Sequence, residues 1–364
     1  MKRIRILFVI LLALLIVSCA PAYTINHSVP VNPISFPDDA AAHYWAQTEW
    51  WYYTGHLKAE DGKEYGYELT FFKRLTNEDK VPGFFIPVPA YWFKDVGMIG
   101  HFALTDLSNK KFKAKEISNI FNKSKADAKK YDVVIDKWTA RDENGKHILR
   151  AEMKGCSIDL ELESFKPAAL HEQNGIVNKG GTHSNYYYSY TNMKTSGTLT
   201  LEGKPVKVDG KSWMDHEYGT MKMAYPQVGW DWFSVQLDNN HELMLFSIRD
   251  DKDKNNNHVG GTFVLPDGKT IPIKKEDIDV KVLDYWHSDK TDSDYPALWE
   301  LTVKSLDLKL KVNPLMPDQE LDLKPVAYWE GSVRVDGTFN NAPVQGEGYV
   351  ELVGYSKKYP LVYF

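Results

Sequence analysis

The sequence predicts an all-β protein built as two barrels in tandem. Stretches that alternate between apolar and polar residues, divided by tight turns, run almost from end to end, and no helical heptad survives. Aromatic residues, which favour strands and stacking surfaces, make up 13% of the 364 positions, with 11 Trp and 21 Tyr. A hairpin pattern near the start also recurs near the middle. "WWYYTGHL…DG…YELTFFKR" at Trp50 to Arg74 is echoed by "DWFSVQLDNNHELMLFSIR" at Asp231 to Arg249. Each copy has an aromatic strand ending in Leu, a turn, Glu-Leu, and an apolar strand closing on Arg, as two related barrels would have. With 43% hydrophobic residues the chain is long enough for two cores, and a net charge of −5 offers no basic excess for nucleic acid.

The elements follow in order. Lys2, Arg3 and Arg5 precede an apolar run, Ile6 to Val17, too short for a comfortable membrane span. The run ends in Ile16-Val17-Ser18-Cys19, which resembles a bacterial lipobox. The resemblance implies a signal peptide over 1–18, acylation of Cys19, and a lipid anchor in a membrane of the cell envelope. Because Ala20 rather than aspartate follows, the expected location is the outer membrane, facing the periplasm. Residues 19–43, with several prolines, read as an extended tether. An N-terminal domain over 44–226 and a C-terminal domain over 227–364 follow, with the boundary near Tyr225-Pro226. With Cys19 lipidated only Cys156 remains, so neither a disulfide nor a Cys-rich metal site is expected.

On the "TEWWYYTGHL" strand, Glu49, Trp51 and Tyr53 point one way, and Trp50, Tyr52 and Thr54 the other. A strand aromatic on both faces suits a barrel wall, with one face toward a lumen and one covered by protein. Dense ordinary core packing is the competing reading. The most polar stretch is "KSWMDHEYG". There alternation puts Trp213, Asp215 and Glu217 on one face, and Met214, His216 and Tyr218 on the other. Asp215, His216, Glu217 and Tyr218 are the catalytic candidates, placed at the junction of the barrels. His216 and Tyr218 are expected on the cleft face with Asp215 as an anchor, and alternation leaves the reverse open. The competing reading is a seam whose polar groups only satisfy loop backbone. Glu49, Trp51, Tyr53, Tyr188, Trp230, Trp232 and Trp329 are the candidates for lining an apolar ligand site. The His-Glu pairs at His171, His216 and His241 do not extend to H-E-x-x-H, so no zinc-protease metal site is expected. There is no P-loop, no nucleophile elbow and no dinucleotide fingerprint.

"EWWYYTGHL", "YGYELTFFKR", "YYYSYTNMKTSGTL", "SWMDHEYG", "GWDWFSVQLDNNHELMLF" and the closing "YWEGSVRV" together resemble the AttH/CrtC-like family of secreted, lipocalin-like proteins related to carotenoid 1,2-hydratases. The resemblance implies two lipocalin-like barrels and an apolar ligand, a lipid or isoprenoid, near their junction. It also implies a cofactor-free reaction in which a carboxylic acid protonates an alkene and water adds. The family's Asp-His-x-aromatic motif maps onto Asp215, His216 and Tyr218, where the hydratases have Trp at the last position. Their essential acid falls in the region matching Leu245 to Arg249, where this chain has Ser247, with Asp250 and Asp251 beyond. Three functions follow as expectations. One is acid-assisted hydration or hydrolysis, with Asp215 or Glu217 as acid and His216 as partner. The others are a non-catalytic carrier of a hydrophobic molecule and a structural envelope protein.

Overall fold

The structure, a computed structural model, describes residues 21–28, 32–81, 87–120, 122–172, 174–180, 184–220 and 225–359. The leader and Cys19 lie outside the described residues. Strand covers 64% of the chain and helix 4%, the latter as single 3-10 turns, so the all-β expectation holds. Two curled antiparallel sheets carry the fold, each wrapped around a core of its own. The first takes every strand from Thr48–Ala59 to Lys204–Gly219, apart from a short two-stranded hairpin, and the second runs from Gln227–Leu237 to Ala342–Val353. Among the described residues no helix is long and apolar enough to cross a membrane.

The two echoing hairpins occupy corresponding places. Thr48–Ala59 pairs with Glu64–Leu75 on one edge and with Lys204–Gly219 on the other. Gln227–Leu237 likewise pairs with Glu242–Asp250 and with Ala342–Val353. Period-two alternation then sorts the first sheet's side chains. Trp51, Tyr53, Leu57, Leu69, Phe71, Met214 and Tyr218 fill the N-terminal barrel. The opposite face packs Tyr52, Tyr187 and Trp213 against Trp232, Met244, Phe246 and Tyr349 of the second sheet. Both faces of the "EWWYY" strand are therefore buried, which accounts for its lack of a solvent face. The barrels approach closely at Gly66, where a Cβ would collide with the Tyr349 hydroxyl and Ser332.

Residues 21–28 and 32–46 are not a free tether. Ala22 N–H donates to Asp95 Oδ1 at 3.1 Å, Tyr23 stacks on Tyr44, Asn26 N–H donates to the Trp45 carbonyl, and Ile25 and Ile34 are buried. The prolines hide a few apolar residues that find the barrel. Their burial offsets the entropy of ordering the segment.

Glu68 and Glu330, both buried, and the partly buried Glu351 stand at the seam between the barrels. The Tyr52 hydroxyl donates to Glu330 Oε1 at 2.6 Å, Trp230 Nε1 donates to Glu351 Oε2 at 2.9 Å, and Thr70 donates to Glu68. The Oε2 atoms of Glu68 and Glu330 have no hydrogen-bond partner. Burial pushes Glu68 up to about 8 and Glu351 to about 7, and raises Glu330 well above the ordinary range. The folded protein thus keeps protons that the unfolded chain releases above about 4.5. Stability is fully present below that pH and is lost as pH rises through 7 to 8. The melting temperature should fall between pH 6 and pH 9 by at least about 5 °C, and Glu68→Gln should flatten that slope. Scanning calorimetry of both proteins across this range checks it.

Candidate active site in the N-terminal barrel

Strand register builds the site in two rows on the lumen face. In one row Lys73, Glu49, Tyr218 and Tyr186 lie opposite one another on four adjacent strands; in the next are Phe71, Trp51, His216 and Tyr188. Directly opposed residues stand within about 5.5 Å, close enough for one row to engage the next. The loop preceding the first strand lays His43 over this end of the barrel, its ring stacked on Tyr218 at 3.7 Å.

Glu49 is the centre. It is wholly buried, yet four groups address it. His216 Nε2 lies 2.8 Å from Oε1 and His43 Nδ1 2.9 Å from the same oxygen. The His43 amide donates to Oε2 at 2.9 Å, and the Lys73 ammonium stands 3.2 Å from Oε2. Burial raises the carboxyl's pKa, but Lys73 and the two imidazoles outweigh it and hold it well below the usual range. Glu49 is therefore an anion. Burial alone would lower His43, but Asp39 at Nε2 (3.1 Å) and Glu49 at Nδ1 raise it, so a carboxylate facing each nitrogen favours the protonated ring.

His216 differs. Burial lowers its pKa by more than Glu49 restores, so the ring is neutral at pH 7. Its Nε2–H points at Glu49, and its bare Nδ1 accepts from the Tyr188 hydroxyl at 3.0 Å. Carboxylate, imidazole and phenol form a directed chain with the logic of a catalytic triad: the anion fixes the tautomer, and the free nitrogen can take a proton through the hydroxyl. Trp51 stacks on His216, and Phe36 stands edge-on to Tyr188 at 4.9 Å. Phe36 is 41% exposed, so Tyr188 lies one ring below the surface. Tyr53 joins a second polar knot, within 2.5 Å of the Tyr131 hydroxyl and 2.8 Å of His147 Nδ1. Burial lowers His147 to about 4. Trp51 Nε1 and both amide atoms of Gln47 are buried without a hydrogen-bond partner, at about 1–3 kcal/mol each if nothing binds them.

His43, Glu49 and His216 also offer three metal-type donor atoms within 4.8 Å of one another. Lys73 already stands 3.2 Å from Glu49 there, and each donor atom is already hydrogen-bonded.

The sequence candidates divide into three groups. Glu49, Trp51, Tyr53, Tyr188, His216 and Tyr218 converge in the lumen of the N-terminal barrel rather than in a cleft between barrels. Asp215 and Glu217 point the other way, into the seam. Asp215 accepts from Tyr187 (2.6 Å), Trp213 Nε1 (2.6 Å) and Ser189, and Glu217 from Asn185 (2.8 Å), with Lys179 at 3.0 Å. Burial pushes Asp215 up to about 6 against the pull of its donors, and its three hydrogen bonds tie it to the seam rather than to the lumen. Trp230 and Trp232 also lie at the seam, where Trp232 Nε1 donates to Tyr187. Trp329 is deep in the C-terminal core, bonded to the Pro317 carbonyl. An aromatic residue declares burial, not which of three cores it joins. Lys73, His43 and Asp39 gave no sequence signal, because only the strand register and the covering loop bring them to Glu49.

Removing the cation exposes the design. Lys73→Met leaves Glu49 buried without its ammonium and should cost about 3–5 kcal/mol in urea unfolding. Glu49→Gln added to it should recover much of that loss. A cost of Lys73→Met near zero would contradict the pairing.

The architecture and motifs have known relatives. A structure of an AttH protein from Nitrosomonas europaea superposes with a TM-score of 0.79 at 30% identity, covering 92% of this chain and 100% of that one. Kievitone hydratase from Nectria haematococca superposes with a TM-score of 0.71 at 15% identity, over 92% and 96%, a likeness of fold. In sequence, a kievitone hydratase of Fusarium solani subsp. phaseoli is 26% identical over 65% of this chain and 67% of its own length. The dehydratase asqC of Emericella nidulans is 24% identical over 54% of this chain and 58% of its own length. The family model described as AttH-like matches residues 27–355, and the chain belongs to the AttH-like family.

Proposed function

We propose that this protein is a cofactor-free hydratase or dehydratase acting on an apolar substrate, with Tyr188, His216 and Glu49 as its proton-transfer chain. The observation that carries the reading is the geometry of that chain, with Glu49 on Nε2 and the Tyr188 hydroxyl on Nδ1 of a fully buried His216. A neutral His216 with a bare Nδ1 behind the Tyr188 hydroxyl is a proton acceptor. In the elimination direction Tyr188 passes its proton to Nδ1 as its oxygen takes one from a substrate C–H. The resulting imidazolium is stabilised by Glu49 and returns that proton through Tyr188 to the departing hydroxyl, which leaves as water as the C–O bond breaks. In the reverse direction the same pair takes a proton from attacking water and returns it to the substrate carbon. This favours a double bond activated by a neighbouring carbonyl over the protonation of an isolated alkene by Asp215 or Glu217. The names of the related kievitone hydratase and dehydratase support water addition or removal as the reaction class. The unpartnered Gln47 amide and Trp51 Nε1 also suit a non-catalytic carrier. The lipobox-like sequence supports tethering to a membrane through Cys19, and Cys19→Ala should then shift the protein out of the membrane fraction.

The test uses kievitone and a panel of enones and β-hydroxy carbonyl compounds in water labelled with heavy oxygen, read by mass spectrometry. His216→Gln and Tyr188→Phe should each slow turnover by about 100-fold or more with little change in melting. Asp215→Asn should lower melting and leave turnover of the folded fraction intact. Because burial lowers the His216 pKa, activity should survive acidification below the ordinary imidazole value of about 6.5 before the base is lost. Wild-type turnover by both His216→Gln and Tyr188→Phe would reject the catalytic chain. Ligand retention altered without any turnover would favour the carrier.

A further inference from the structure

One end of the N-terminal barrel carries features that the chemistry does not use. Thr48, Leu75, Val96 and Gly219 lie together there, as the pairings Thr48 with Gly219, Thr48 with Arg74 and Leu75 with Val96 require. Glu49, His43 and Tyr218 sit just inside, so this end of the barrel, its mouth, is the one nearest the candidate site. The chain joining Glu64–Leu75 to Val96–Asp106 leaves and rejoins the sheet at this end. That connection exposes Trp92 at 54% and Phe93 at 72%. Lys94 Nζ in turn holds the Asn119 carbonyl at 2.8 Å, which brings Ile120, 73% exposed, beside them. Single exposed apolar residues are ordinary, but three so bare on neighbouring loops mark a contact surface.

The course of the N-terminal chain says what covers them. Asp95, two residues beyond Phe93, receives the Ala22 amide at 3.1 Å, and from there residues 22–28 follow the barrel. Cys19 is three residues before Ala22, a reach of at most about 11 Å. A lipid on Cys19 would therefore be tied beside Trp92 and Phe93, at the mouth. An acyl anchor fixes distance from a bilayer, but not orientation. Large rings at headgroup depth fix orientation, since Trp and Phe combine apolar area with tolerance of the interface.

We propose that the mouth of the N-terminal barrel rests on the membrane surface, with Trp92, Phe93 and Ile120 inserted at headgroup level, so that an apolar ligand passes between bilayer and lumen beside Phe36. This rests on the lipid anchor at Cys19 and not on the catalytic role of His216.

The test uses the acylated protein in vesicles of phosphatidylethanolamine and phosphatidylglycerol. Cys156 is buried and burial raises its thiol to about 11, so a cysteine introduced at the surface can be labelled selectively. An environment-sensitive fluorophore is attached at Phe93→Cys, at Ile120→Cys, or at Tyr285→Cys on the C-terminal barrel, where Tyr285 is 61% exposed. At 93 and 120 the fluorophore should be quenched several-fold more strongly by a nitroxide lipid than at 285, while 285 alone stays open to aqueous iodide. Equal quenching at all three positions, iodide access at 93 matching that at 285, or failure of the protein to stay with the vesicles would overturn the proposal. A His216→Gln background should leave the quenching pattern unchanged whatever happens to turnover, which separates this proposal from the catalytic one.

Discussion

The burial of the Glu49 carboxylate is the constraint around which the N-terminal barrel is arranged. An anion with no exposed surface is tolerated only if its charge and lone pairs are matched, and here two strands and a loop each supply a partner. Lys73 must be on the adjacent strand in register, His216 one row further along on the opposite neighbour, and His43 on a loop that cannot leave the mouth without unpairing it. The same requirement orders the segment before the first strand, so that charge balance in the lumen and docking of residues 32–46 are one event.

The two-faced strands give this demand its reach. Asp215 and His216 are neighbours in sequence and lie on opposite sides of one sheet. His216 turns into the lumen, where it can move a proton; Asp215 turns outward, where Tyr187, Trp213 and Ser189 tie it to the inter-barrel seam. Trp232 and Tyr52 extend that seam to the second sheet, stacked edge-on at 5.2 Å. The seam lies directly behind the strands that carry Glu49, His216 and Tyr188. The C-terminal barrel thus backs the candidate site and, among the described residues, contributes no side chain to it.

The fold class was legible because alternation and turn chemistry are local, and the echo between the Trp50 and Asp231 hairpins marks two equivalent openings of two sheets. Alternation also separates Asp215 and Glu217 from His216 and Tyr218, since period two is a property of any strand. What it cannot supply is the identity of the strands on either side. Nothing near Glu49 in sequence points to Lys73 as its cation, and nothing in the proline-rich segment announces that His43 and Asp39 continue the network. Trp329 shows the converse limit: its composition matches Trp51, but its strand belongs to the other barrel.

The central claim is that His216 rests as a neutral base, oriented by Glu49 and open toward Tyr188. Nitrogen-15 NMR of histidine-labelled protein at pH 7, with the His216 signals assigned by their loss in His216→Gln, tests this most directly. The account predicts a neutral ring protonated at Nε2, with Nδ1 as a hydrogen-bonded acceptor. A doubly protonated ring, or a neutral ring protonated at Nδ1, would contradict it.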